Sequence, residues 1–201
     1  IEVPDVVFYG VGNEYNITLR DEHGTLIRGE YIKVVITQGN LSDTFTLQTG
    51  DDGVARLTIN YLPGTYQITA SYAGDDVYGS AKGSGTITVN KVLTVISGFH
   101  YSKIPLNGVY TVVLTDMFGH RVTNATIKLN LYKGVLLKTY TGVTDGNGEV
   151  TFRIAQGEGT YLATFDFDGD IWYIDSTGAA TIVVDSQTAP GQVSIYACDF
   201  V

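Results

Sequence analysis

The chain has 201 residues, 44% of them hydrophobic and 16% charged, with 24 glycines and 14 tyrosines. That length fits one large domain or two small ones of roughly 100 residues, and the Gly, Tyr, Thr and Val content favours strands and tight turns over helices. Twelve Lys and Arg against 21 Asp and Glu give a net charge of −9, which opposes phosphate backbones and anionic lipid, and no apolar run approaches the ~18 residues of a membrane-spanning helix, so neither a nucleic-acid partner nor direct membrane insertion of this segment is expected.

In chain order, the first alternating run turns Tyr15, Ile17 and Leu19 to one side. The next sets are Ile32, Val34 and Ile36, then Ala55, Leu57 and Ile59, then Tyr66, Ile68, Ala70 and Tyr72, and finally Ile87 and Val89. Period-two stretches divided by turn signals every ~8–12 residues are the pattern of a β-sandwich. "TGDDGVA", from Thr49, carries the Asp-Gly signature that predicts a tight hairpin. "YLPGTY" feeds a long strand through a Leu-Pro-Gly turn, which predicts a tyrosine corner at Tyr66. Gly74-Asp75 then reads as the turn that ends this strand.

The same elements return 95 positions later without a gap. Tyr15, Leu19, Asp21 and Gly24 fall on Tyr110, Leu114, Asp116 and Gly119, and Gly64-Thr65-Tyr66 falls on Gly159-Thr160-Tyr161. The second inward sets are Tyr110, Val112, Leu114; Ile127, Leu129, Leu131; Val150, Phe152, Ile154; Tyr161, Ala163, Phe165, Phe167; and Ile182, Val184. "TDGNGEV" repeats the hairpin signal and Tyr161 the corner. One offset held over most of a domain marks a duplication. The expected fold is all-β, two tandem immunoglobulin-like β-sandwiches, with domain 1 at 1–90, domain 2 at 91–184 and an extra strand or tail at 185–201.

"SGTITVN" passes directly into "KVLTVIS" with no Gly/Ser or Pro linker, so a stiff pair of domains placed end to end is expected. The tail supplies one more alternating run in "PGQVSIYACDFV". Its expected fates are the start of a further domain, docking on its own sandwich, or donation to a neighbouring subunit's sheet. "IEVPDVVFY", at the other end, is a second candidate for donation. The lone Cys198 forms no intramolecular disulfide, and an N-terminal Ile points to processing or to a fragment boundary.

"VPDVVFYGVGNEYNITLRDEHG" at 3–24, "TGDDGVARLTINYLPGTY" at 49–66 and "YAGDDVYGS" at 72–80 resemble immunoglobulin-like repeats of prokaryotic surface proteins, most closely adhesin-like proteins of methanogenic archaea. The resemblance covers residues 3–184. It implies an extracellular, cell-surface module without chemistry of its own, a stalk, fibre or adhesin segment. The implied partners are neighbouring copies or domains of the same surface protein, or a host or cell-surface glycan or protein. Two alternatives stand beside it: a filament or pilus subunit assembled by strand donation, and a surface enzyme that processes polysaccharide or peptide. Copy two departs from the pattern at "RIAQGEGTY" and "FDFDGDIWYIDS".

No enzyme is expected. His23, His100 and His120 occupy non-equivalent positions, and no nucleophile elbow, phosphate loop, zinc-protease or paired-cysteine motif occurs. Asp166, Asp168 and Asp170, with Asp175 beyond, are calcium candidates: carboxylates alternating outward from Phe165 and Phe167 at a strand end can meet one hard cation. The bland reading of the same residues is a solvated strand end and turn. Copy one has Ser71, Ala73 and Asp75 at the first three positions, so the fold itself does not require a metal. Three sequons make Asn16, Asn40 and Asn124 glycosylation candidates. Intramolecular Lys-Asn crosslinks, known in some such surface domains, are a further possibility with no pair assigned.

Overall fold

A computed structural model describes residues 1–186; the tail from Gln187, with Cys198, lies outside the described residues. The chain divides into two compact units, the first Ile1–Lys91 and the second beginning at Val92. Every regular element in both is a strand, and no described helix is long and apolar enough to cross a membrane.

Unit 1 contains β1 (Val6–Tyr9), β2 (Asn13–Thr18), β3 (Tyr31–Gln38), β4 (Leu41–Gln48), β5 (Val54–Ile59), β6 (Gly64–Tyr72) and β7 (Ala81–Asn90). One sheet runs β1-β7-β6-β3-β4 and the other pairs β2 with β5. Unit 2 contains β8 (Thr94–Gly98), β9 (Tyr101–Ile104), β10 (Val109–Asp116), β11 (Thr126–Lys133), β12 (Val135–Val143), β13 (Glu149–Arg153), β14 (Gly159–Phe167) and β15 (Ser176–Val184). Its sheets run β12-β11-β14-β15-β9 and β13-β10-β8. Each unit is a two-sheet sandwich whose alternating strands put one face into a common core.

All the inward sets read from the sequence are buried, from Tyr15, Ile17 and Leu19 to Ile182 and Val184. The two cores differ most along the central strand. β6 offers Tyr66, Ile68, Ala70 and Tyr72, whereas β14 offers Tyr161, Ala163, Phe165 and Phe167. Phe165 lies over its cross-strand partner Gly178, where any Cβ would collide with the ring.

Local chemistry repeats with the sequence. The Tyr66 hydroxyl donates to Leu62 O at 2.8 Å and the Tyr161 hydroxyl to Gly157 O at 2.7 Å, the geometry of a tyrosine corner. A second repeated tie has Tyr15 donating to Pro4 O at 2.5 Å and Tyr110 to Phe99 O at 2.8 Å. These phenols fasten the first stretch of each unit to its own sandwich.

Two expectations are corrected. The Asp-Gly signals at 51–53 and 145–148 are turns with Gly53 and Gly148 at positive φ, but they are not hairpins. β4 pairs with β3 and β5 with β2, so the turn carries the chain between sheets; β12 and β13 are divided likewise. A two-residue hairpin sits instead at Gly39-Asn40, between Gln38 and Leu41. The opening segment is also placed at home: β1 runs parallel to β7 of its own unit, and Glu2 bridges Thr18.

Candidate functional site

Backbone alternation in β14 sends Phe165 and Phe167 inward and leaves Asp166 and Asp168 on the other face. Lys128 on β11 pairs with Asp168, and this partner raises the lysine's pKa. Asn130 on the same strand donates to Asp166 Oδ2 at 3.0 Å. Asp170 Oδ1 accepts the backbone N–H groups of Trp172 and Tyr173 at 2.7 and 2.8 Å, closing the turn that Gly169 opens at φ +77°. Asp175 is exposed just before β15. The carboxylates are thus divided among an ion pair, an amide contact and a turn cap. Among the described residues, no three or more His, Cys, Asp or Glu are grouped to hold a metal ion.

The cap is general to this chain. Asp75 accepts Val77 and Tyr78 N–H at 2.7 and 2.6 Å, and these donors, Tyr78 foremost, hold its pKa down. Asp21 and Asp116 each accept two amides across the corner after the β2 and β10 runs. Asp145 accepts Asn147 and Glu149 N–H, which lower its pKa. An aspartate oxygen that binds the N–H two residues on shapes its own turn, so much of the acidity in these loops is turn chemistry.

The sequons occupy three settings. Asn16 projects outward from β2 opposite Arg56, and Asn40 sits in the Gly39-Asn40 turn. Asn124 is exposed with φ 57°, and its N–H donates to Thr144 O at 2.9 Å.

One feature escaped the sequence reading. A groove of about 560 Å³ opens at one end of unit 1, between the corner Arg20–His23 and the loop Val77–Ala81, with Tyr72 in its wall. Tyr72 is 4% exposed, and its hydroxyl has no partner in hydrogen-bond geometry among the described residues. The equivalent place in unit 2 is filled by the chain itself. Val92 N–H donates to Trp172 O and Ile174 N–H donates to Val92 O, each at 2.8 Å, while Met117 N–H donates to Leu93 O at 2.9 Å. The Thr94 hydroxyl contacts Ile174 O and Ser176 Oγ at 2.8 and 2.7 Å. The copies also differ in polarity here. Glu22, His23, Asp76 and Gly79 become Met117, Phe118, Ile171 and Ile174, all four exposed. The polarity difference is legible in the 95-residue offset, which sets Glu22 and His23 against Met117 and Phe118.

No protein-family model and no curated protein matches the chain. Among solved structures it is similar to invasin, a bacterial integrin-binding protein, at 16% identity and TM-score 0.44, over 89% of this chain and 37% of that one. It is also similar to the titin Z1Z2 domains solved with telethonin, at 15% identity and TM-score 0.42, over 92% and 94% of the two chains. Fibronectin(III)-like modules of Clostridium thermocellum CbhA align at 13% identity and TM-score 0.32, over 96% of each. The chain spans 37% of the length of the invasin structure. Its sandwich architecture rests on its own strand pairing.

Proposed function

We propose that this chain is a non-catalytic extracellular segment of a cell-surface protein, serving as a stalk, fibre or adhesin module. The supporting observation is a strand clamp present in both units. In unit 1 the early strand β1 pairs in parallel with the last strand β7, through Val6↔Ile87 to Tyr9↔Asn90. In unit 2, β9 pairs in parallel with β15, through Thr181↔Tyr101 to Val184↔Ile104. Tension entering before a parallel pair and leaving after it pulls the two strands along their length. The ladder bonds then share the load in shear instead of opening one at a time. Little chain separates the two clamps: β7 ends at Asn90, and Val92 is already bonded within unit 2. The resemblance to methanogen adhesin-like repeats supports the surface location, and the apolar loops of unit 2 support protein contact with neighbouring domains or surfaces.

Single-molecule stretching of the full chain tests the reading. Two unfolding events are expected, each releasing about 30 nm of chain at roughly 3.5 Å per residue. Val7→Pro and Phe8→Pro, each compared with the Ala variant at the same site because Phe8 also packs on the core, distinguish the clamp from general stability, since alternate residues of an edge strand donate to its neighbour. One of the two variants must lower the unit 1 unfolding force; equal forces in both and in the parent chain would remove the mechanical argument.

A further inference from the structure

We propose that the groove of unit 1 is the seat of an extended, neutral strand segment joined directly ahead of Ile1, taken up in the register that Val92–Val95 adopts in unit 2. The duplication supplies the template. Trp172 and Ile174, which bracket Val92 by backbone hydrogen bonds, correspond to Val77 and Gly79 in the wall of the groove. Met117, which donates to Leu93, corresponds to Glu22 in the same wall. The Ile174 and Met117 amides are used in unit 2, whereas the Gly79 and Glu22 amides donate to no acceptor among the described residues. A ready set of strand-binding groups therefore stands open in one copy and closed in the other.

Register identifies the occupant. Ile96 pairs with Leu114 and Ser97 with Val113; the counterpart in unit 1 is the bridge between Glu2 and Thr18. Ile1 thus stands where Ile96 stands, and a chain joined to it enters the groove as Val95, Thr94 and Val92 do. Val92 is buried, which sets an aliphatic residue at that place. The template residues Val92, Leu93, Thr94 and Val95 carry no charge, which sets the neutral character of the segment.

Tyr72 is an independent sign. Its counterpart in unit 2 is Phe167, so among the described residues the open groove, and not its closed counterpart, presents a buried hydroxyl without a partner in hydrogen-bond geometry. Buried polar groups ordinarily find one, and a backbone carbonyl of a seated segment is a suitable acceptor. In a tandem array, each repeat would then be completed by the stretch of chain that leads directly into its first strand.

The test fuses Val-Leu-Thr-Val directly ahead of Ile1 in the otherwise unchanged protein, with Gly-Ser-Gly-Ser as the matched control. Hydrogen exchange at the Gly79 and Glu22 amides is expected to slow about tenfold in the first fusion alone, the factor that one net backbone hydrogen bond gives. Exchange at Met117 and Ile174 serves as the internal reference for an intact fold. Equal exchange in the two fusions would overturn the proposal. Equal protection by a free peptide of residues 90–95 would overturn the assignment to joined chain and make the groove a receptor for separate strands.

Discussion

Tyr72→Phe should stabilise this protein, an unusual sign for a buried substitution. Tyr72 is 4% exposed, its ring belongs to the unit 1 core, and its hydroxyl has no partner in hydrogen-bond geometry among the described residues. Burial foremost pushes its pKa well above the ordinary value, and the neighbouring Asp75 and Glu30 carboxylates add to this from outside hydrogen-bond geometry. A desolvated and unsatisfied hydroxyl costs about 1–3 kcal/mol, while the ring keeps its contacts as Phe. Phe167 at the matching position shows that the same strand site accepts this ring. A gain of about 1 kcal/mol is expected, which raises the unit 1 transition by roughly 5 °C for a domain of this size. Tyr66→Phe is the control of opposite sign, because it removes a 2.8 Å hydrogen bond to Leu62 O and should cost about 1 kcal/mol. Calorimetry of both variants beside the parent decides the matter. A Tyr72→Phe transition at or below the parental temperature would refute the reasoning, since the hydroxyl would then be satisfied by the Asp75 or Glu30 carboxylate or by water.

Other expectations follow from the buried phenols and the capped turns. Burial, with Asp5 adding, pushes the Tyr15 pKa up to about 12, and Tyr61, Tyr66, Tyr72, Tyr110 and Tyr173 are also raised by burial first. The folded chain therefore holds protons that the unfolded chain releases, so this contribution is complete below about pH 10 and falls as pH rises beyond it; urea midpoints that stay constant up to pH ~11.5 would contradict it. At the acid end, the lowered pKa values of Asp21, Asp52, Asp75 and Asp145 give stability that is present above about pH 4 and lost as pH falls through the folded values. Asp75→Ala should speed hydrogen exchange at the Val77 and Tyr78 amides, with little change at Trp172 and Tyr173, whose cap is Asp170. Adding calcium or a chelator should leave the melting temperature unchanged, because Asp168 is engaged by Lys128 and Asp166 by Asn130. A chelation-induced drop that Asp168→Ala abolishes would favour the calcium reading instead.

The central strands were legible because they are buried on one face and polar on the other, so Ile32, Val34 and Ile36 or Tyr161, Ala163 and Phe165 declare themselves by alternation. The edge strands were not. β12 exposes Val135, Leu136 and Leu137 and half-buries only Tyr140 and Gly142, and its period is lost where one side has nothing to pack against. Asp-Gly turns were found, but their local chemistry is the same whether the next strand pairs with the last one or crosses to the other sheet. The acidic loop was read correctly as an outward alternation at Asp166 and Asp168. What engages it, the Lys128 cation and the Asn130 amide, comes from a strand about forty residues earlier, and no local pattern carries such a pairing.

The unequal packing of β6 and β14 bears on how the chain avoids confusing its two halves while folding. Neighbouring repeats with matching turns are prone to exchange strands and become trapped. β14 placed in the first sandwich would bring Phe165 into the space of Ala70 and leave Ala163 short of the volume of Ile68, a clash and a void within one strand. Either error alone typically costs a core more than 1 kcal/mol. The large-small reversal thus gives each half a private fit, and the duplicated chain keeps a shared scaffold without interchangeable parts.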